Sequence, residues 1–166
     1  MKTLALKIPS SLLVAIASLM TVLQMIFAFI FRGPPSVMFE WLGWICLWSA
    51  GIFGMIPIFT FRHKGDVPKG KSYIHTSRLV TSGIYGIVRH PQNGTAWMLI
   101  NLGLMLIVRN WTSYVPGVLS MFLAYLDSYH EDQRCIVKFG PAYTQYISRV
   151  PRINFLYGIY LLIKNR

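Results

Sequence analysis

The stretch from Ser11 to Phe31, SLLVAIASLMTVLQMIFAFIF, runs 21 residues without a charged side chain. At the helical rise it is about 30 Å long, the thickness of a bilayer's hydrocarbon core. A secretory signal could use Lys2 and Lys7 as its basic region and Ala15-Ile16-Ala17 as a cleavage-like site. The apolar run, however, continues well past that site, beyond the roughly 7–15 residues of a signal's apolar core. The run reads as a retained helix over 11–31 with its N-terminus in the cytoplasm. Composition agrees, since 54% of the 166 residues are hydrophobic and only 13% charged. A soluble domain of this size needs more polar surface, so the expected class is an all-α integral membrane protein.

Further apolar stretches follow. After the turn RGPPS, residues 37–61 form a second span, with Trp41, Trp44 and Trp48 placed as an interfacial belt and Glu40 at its water boundary. Residues 62–90 are too polar for lipid, and a loop of that length is usually functional or disordered. A third span is predicted over 91–108, about 27 Å at helical rise. The turn Arg109-Asn110-Trp111 leads to a fourth helix over 116–139, opened by Pro116 and stopped by Phe139-Gly140-Pro141. Its last turns must project beyond the bilayer. The apolar piece 153–163 is too short to span and reads as interfacial or re-entrant. The expected architecture is therefore one domain, 1–166, with four transmembrane helices and a C-terminal interfacial or re-entrant helix.

The formal charge is +11, from 16 Lys and Arg against five acids. In this setting the excess marks topology and anionic headgroups rather than nucleic acid. Of the cations, only Arg32 and Arg109 fall on the side opposite the N-terminus. The positive-inside rule then makes 62–90 and 131–166 cytoplasmic, and these are the elements expected to build a site. Cys46 and Cys135 form no disulfide framework, and His63, His75 and His130 lack metal-ligand spacing, so no metal is expected.

The hairpin of helices three and four brings two clusters together. His90 lies 20 residues before Asn110 and Glu131 lies 21 after it. Residues nearly equidistant from the tip of an antiparallel pair sit at nearly the same height. Arg89-His90 should therefore meet Glu131-Asp132 at the cytoplasmic membrane surface, where converging ionisable groups point to a site.

These residues carry a resemblance. LVTSGIYGIVRHP at 79–91, followed by EDQRCIVKFGPAYTQYISRVPR at 131–152, resembles the isoprenylcysteine carboxyl methyltransferase family, within a wider group of membrane methyltransferases that includes phospholipid N-methyltransferases. The likeness covers about the C-terminal half. It implies S-adenosylmethionine as donor, held by Leu79, Val80, Tyr85, His90, Pro91 and Glu131. It also implies a prenylated or otherwise lipid-like acceptor entering from the membrane. Methyl transfer to a carboxylate needs a cation to hold the acceptor, and Arg89 and Arg149 are the candidates. Asn93 stands where the family has tyrosine, and Asp127 lies one turn before Glu131, so both fall on the acceptor side. An anion at Asp127 would favour an amine acceptor, which gives phospholipid or amine N-methylation as the alternative. A non-catalytic membrane subunit of the same fold is the other alternative.

Overall fold

The computed structural model describes residues 8–66, 70 and 76–164, and these are all-helical apart from turns and extended links. Lys2, Lys7 and His75 lie outside the described residues. The order is α1 (Ser10–Ile30), α2 (Val37–Lys64), a 3-10 turn (Gly83–Gly86), a π-helical turn (Pro91–Ala96) running into α3 (Trp97–Val108), α4 (Trp111–Phe139), α5 (Pro141–Arg149) and α6 (Phe155–Lys164). Among the described residues, α1 and α2 are long and apolar enough to cross a membrane, and most of their side chains are exposed. By contrast, α3 has only 12 residues, and α4 is amphipathic along its 29 residues, burying Asp127, Ser128 and Asp132. The structure thus shows two membrane-crossing candidates, where the sequence predicts four.

Two helix boundaries differ from expectation for identifiable reasons. The fourth helix starts at Trp111 rather than Pro116, because the Asn110 side chain accepts from the Thr112 amide at 3.1 Å and caps it. Pro116 is carried inside the helix. The second helix continues past Phe61 to Lys64, where Arg62, His63 and Lys64 face the negative end of its dipole and Gly65 closes it. The C-terminal helix begins at Phe155, with the Asn154 side chain accepting from the Tyr157 amide.

The bundle pairs α1 with α4 and α2 with α3, and α3 joins the two pairs. At the α2–α3 crossing a Cβ on Gly43 would stand 2.8 Å from the Gly103 carbonyl oxygen, and one on Gly103 would stand 2.9 Å from the Gly43 oxygen. Small residues let these backbones touch, the means by which helices pack without a hydrophobic driving force between them. The α1–α3–α4 junction is polar instead. Ser120 Oγ donates to the Ala17 carbonyl and accepts from Trp97 Nε1, while Gln24 Nε2 reaches Asn101 O and Ser113 Oγ at 3.1 and 3.0 Å. Gln24, Asn101, Ser113 and Ser120 are fully buried, so these bonds fix the register of three helices.

Glycine contact at the α2–α3 crossing gives a paired prediction. Gly43→Ile should destabilise the protein by about 1–3 kcal/mol through overpacking. Gly51→Ile lies on the same helix, where a Cβ would meet no atom within 4 Å, and should leave the detergent melting temperature nearly unchanged. Equal melting of the two variants would contradict the close crossing.

Candidate functional site

Past α2 the chain doubles back over the end of the bundle. Gly65 O accepts from the Ser77 amide at 3.1 Å, and the extended residues up to Ser82 lead into the 3-10 turn. That turn is buried through Ile84 and Tyr85, with the Tyr85 ring 4.7 Å from that of Phe61. Arg89 and His90 follow in a bend outside any helix, and their amides donate to Pro151 O and Arg152 O, each at 3.0 Å. Thr95 Oγ1 adds a bond to Ile153 O at 2.8 Å. The link between α5 and α6 thereby clamps the Arg-His-Pro segment from the other side. Glycine makes this approach possible, since a Cβ on Gly158 would collide with the Ile87 carbonyl and one on Gly94 with the Ile153 side chain.

One carboxylate gathers what the clamp presents. Asp132, 1% exposed, takes His90 Nε2 at 2.7 Å and Tyr143 OH at 2.8 Å on Oδ1. Its Oδ2 takes Arg152 Nε at 2.8 Å and stands 3.3 Å from Arg89 Nη1. Burial alone would raise the Asp132 carboxyl, but the hydrogen bond and charge of His90, the Tyr143 hydroxyl and the Arg89 charge outweigh it and hold the carboxyl at about 2. Asp132 is therefore ionised across the physiological range. Burial, reinforced by Asp132, pushes the Tyr143 phenol well above its ordinary value, so Tyr143 is a permanent donor.

In front of this cluster lies a cavity of about 230 Å³. Leu79, Val80, Tyr85, Arg89, His90, Pro91, Asn93 and Glu131, all singled out from the sequence, line it together. Two others do not. Arg149 is exposed on α5, and Asp127 is buried on α4, where it accepts from Ser10 Oγ at the start of α1. Sequence reasoning missed Asp132 as the organising anion, together with Arg152, Tyr143 and Tyr146; Tyr146 OH ties α5 to Tyr85 O at 2.6 Å. Helical spacing held part of the signal. Adjacent positions on a helix diverge by about 100°, so Glu131 and Asp132 cannot serve the same partner.

The lining is cationic. Arg78, Arg89, Arg134 and Lys138 face it against the single carboxylate Glu131, which pairs with Arg134. Arg89 is 9% exposed, and among the described residues its Nε has no hydrogen-bond partner; Nη1 approaches Asp132 without hydrogen-bonding geometry. A buried guanidinium with free donors is costly unless an acceptor reaches it. Burial, then the nearby Glu131 charge, pushes the Cys135 thiol up to about 11, which leaves it protonated and a poor nucleophile. Phe61, Phe139, Leu79 and Val80 supply apolar wall. Thr76, Arg78, Leu79 and Val80 line the cavity as its roof, held to α4 by Lys138 Nζ, which donates to Thr76 O at 2.6 Å. Among the described residues no three His, Cys, Asp or Glu side chains group as metal ligands would.

No family model, no curated protein and no solved structure matches this chain.

Asp132→Asn tests the cluster. With the anion removed, Arg89 and Arg152 are left without compensation, and a loss of about 3–5 kcal/mol is expected. A depressed folded pKa contributes stability above the unfolded value of about 3.9 and loses it as pH falls toward about 2. Wild-type melting temperature should therefore drop over that window, and Asp132→Asn should lack this component. Matching acid profiles for the two proteins would contradict the assignment.

Proposed function

We propose that this chain is an integral-membrane, S-adenosylmethionine-dependent methyltransferase whose acceptor is a lipid-like molecule bearing a carboxylate, of the prenylcysteine type. In this reading α3 with its π-helical turn and the apolar part of α4 cross the bilayer beside α1 and α2, and the cationic cavity end faces the cytoplasm. The observation that carries the proposal is Arg89: a buried guanidinium whose Nε has no partner among the described residues, in the lining of a cavity that Glu131 also lines. These two groups suit a ligand set containing both a carboxylate and an ammonium or ribose hydroxyl, with Phe61, Leu79, Val80 and Phe139 available to cover a purine.

When bound, S-adenosylmethionine supplies an electrophilic sulfonium methyl, which a carboxylate oxygen takes directly while the sulfur leaves as a neutral thioether. No base is needed, so the residues align, neutralise and exclude water. The donor brings a net positive charge of its own into a cationic cavity, and an anionic acceptor balances it. The amine alternative drew on an anion at Asp127, whose carboxylate is engaged by Ser10 away from the lining. At about 230 Å³ the cavity is smaller than the roughly 300–1,000 Å³ of clefts that enclose drug-sized ligands. Entry of the donor therefore opens the roof, where the Lys138–Thr76 bond is exposed and easily broken.

Calorimetry on the detergent-solubilised protein should detect binding of S-adenosylhomocysteine, and Glu131→Gln should weaken it at least about tenfold, or about 1.4 kcal/mol. Radiolabelled methyl should pass to a farnesylcysteine analogue as a base-labile ester, with phosphatidylethanolamine a poorer acceptor. Absence of binding in a folded sample would leave the non-catalytic subunit, and preferential labelling of phosphatidylethanolamine would establish the N-methyltransferase instead.

A further inference from the structure

The end of the bundle opposite the cavity carries a second, apolar hollow of about 470 Å³. Phe39 of α2, Leu102, Met105 and Leu106 of α3 and Tyr114 of α4 wall it, and Arg109 also lines it. Along this helix the hollow begins at Leu102, nine residues or about 14 Å beyond Asn93 of the first cavity, and the two share no lining residue. Arg109 sits at a backbone position with φ of 51°, which turns the chain between α3 and α4. Its Nη1 donates to Ser36 O at 3.0 Å, and Nη2 stands 3.5 Å from Glu40 Oε1. Its Nε is buried and, among the described residues, has no partner. Glu40 is 45% exposed, and among the described residues Arg109 is the cation it pairs with.

A hydrocarbon-lined hollow with Arg109 in its wall, and a half-exposed carboxylate 3.5 Å from that guanidinium, sets apolar surface beside both signs of charge. We propose that this hollow is a binding site for one zwitterionic phospholipid. An acyl chain lies in the hollow against Phe39, Leu102, Met105, Leu106 and Tyr114, a phosphate oxygen accepts from Arg109, and the headgroup ammonium pairs with Glu40. The charge pattern selects the occupant. A free fatty acid would answer only Arg109, and an anionic phospholipid would offer Glu40 no cation, whereas a phosphoethanolamine or phosphocholine headgroup answers both charges at once. Filling the hollow also covers Leu102, which is otherwise 37% exposed at the α2–α3 crossing. The site rests on the membrane setting of α1 and α2 and is independent of the methyl-transfer reading.

The test uses the full chain in nanodiscs doped with a phosphatidylethanolamine carrying a photoactivatable group on its acyl chain, followed by peptide mapping of the label. Label should concentrate on residues 97–114 and fall at least about tenfold in Leu102→Trp, which fills the hollow from its lipid side and leaves the Arg109 contacts in place. Arg109→Gln should give a similar loss; if that variant does not fold, Leu102→Trp alone decides. An equivalent phosphatidylglycerol probe should label more weakly, and Glu40→Gln should remove the difference. Binding of S-adenosylhomocysteine at the other end should be unchanged in Leu102→Trp. Label spread along α1 and α2 and insensitive to Leu102→Trp would overturn the site, and equal labelling by the two headgroups would overturn its zwitterionic character.

Discussion

The Asp132 carboxylate is the interaction on which the rest of this end of the molecule depends. Four groups from three separate segments converge on its two oxygens: His90 and Arg89 from the segment before the π-helical turn, Tyr143 from α5, and Arg152 from the link to α6. Burying two guanidinium groups beside a histidine is unfavourable unless an anion sits among them, and a buried anion is unfavourable unless every lone pair has a donor. Here Asp132 supplies the anion, and His90, Tyr143 and Arg152 supply it with three hydrogen bonds. The carboxylate does not itself line the cavity; it holds in place the residues that do.

Helix geometry explains why this carboxylate is available at this height. Asn110 caps α4 and fixes its start, and the polar seam of Gln24, Asn101, Ser113 and Ser120 fixes its rotation and register against α1 and α3. Once those are set, Asp132 faces inward and Glu131 turns toward the cavity with Arg134. The backbone pairing of Arg89 and His90 with Pro151 and Arg152 then sets Arg89 in the cavity wall, its Nε without a partner among the described residues.

Much of this was legible in the sequence. The meeting of Arg89-His90 with Glu131-Asp132 followed from the distance of each to Asn110, and eight of the residues singled out share one cavity. Helix starts were less legible where two signals competed. Pro116 suggested a first turn, but Asn110, further upstream, makes the actual cap. Long-range partners were least legible. Nothing in the spacing of Pro151-Arg152 announces that their carbonyls pair with the amides of Arg89 and His90, because that contact depends on how α5 folds back under α4. Asp127 shows the same limit: its place on the helix face was readable, and its partner Ser10 at the far end of the chain was not.

Among the described residues the cavity lining carries four Lys and Arg against the carboxylate of Glu131, and this charge pattern is what the proposed donor and acceptor must match. The most direct test is a structure of the full chain determined with S-adenosylhomocysteine. The account predicts that the ligand lies in the cavity in front of Arg89 and Glu131, that a ligand or acceptor oxygen reaches Arg89 Nε, and that Asp132 keeps His90, Tyr143 and Arg152. A ligand bound elsewhere, or one that displaces these partners to contact Asp132 itself, would contradict it.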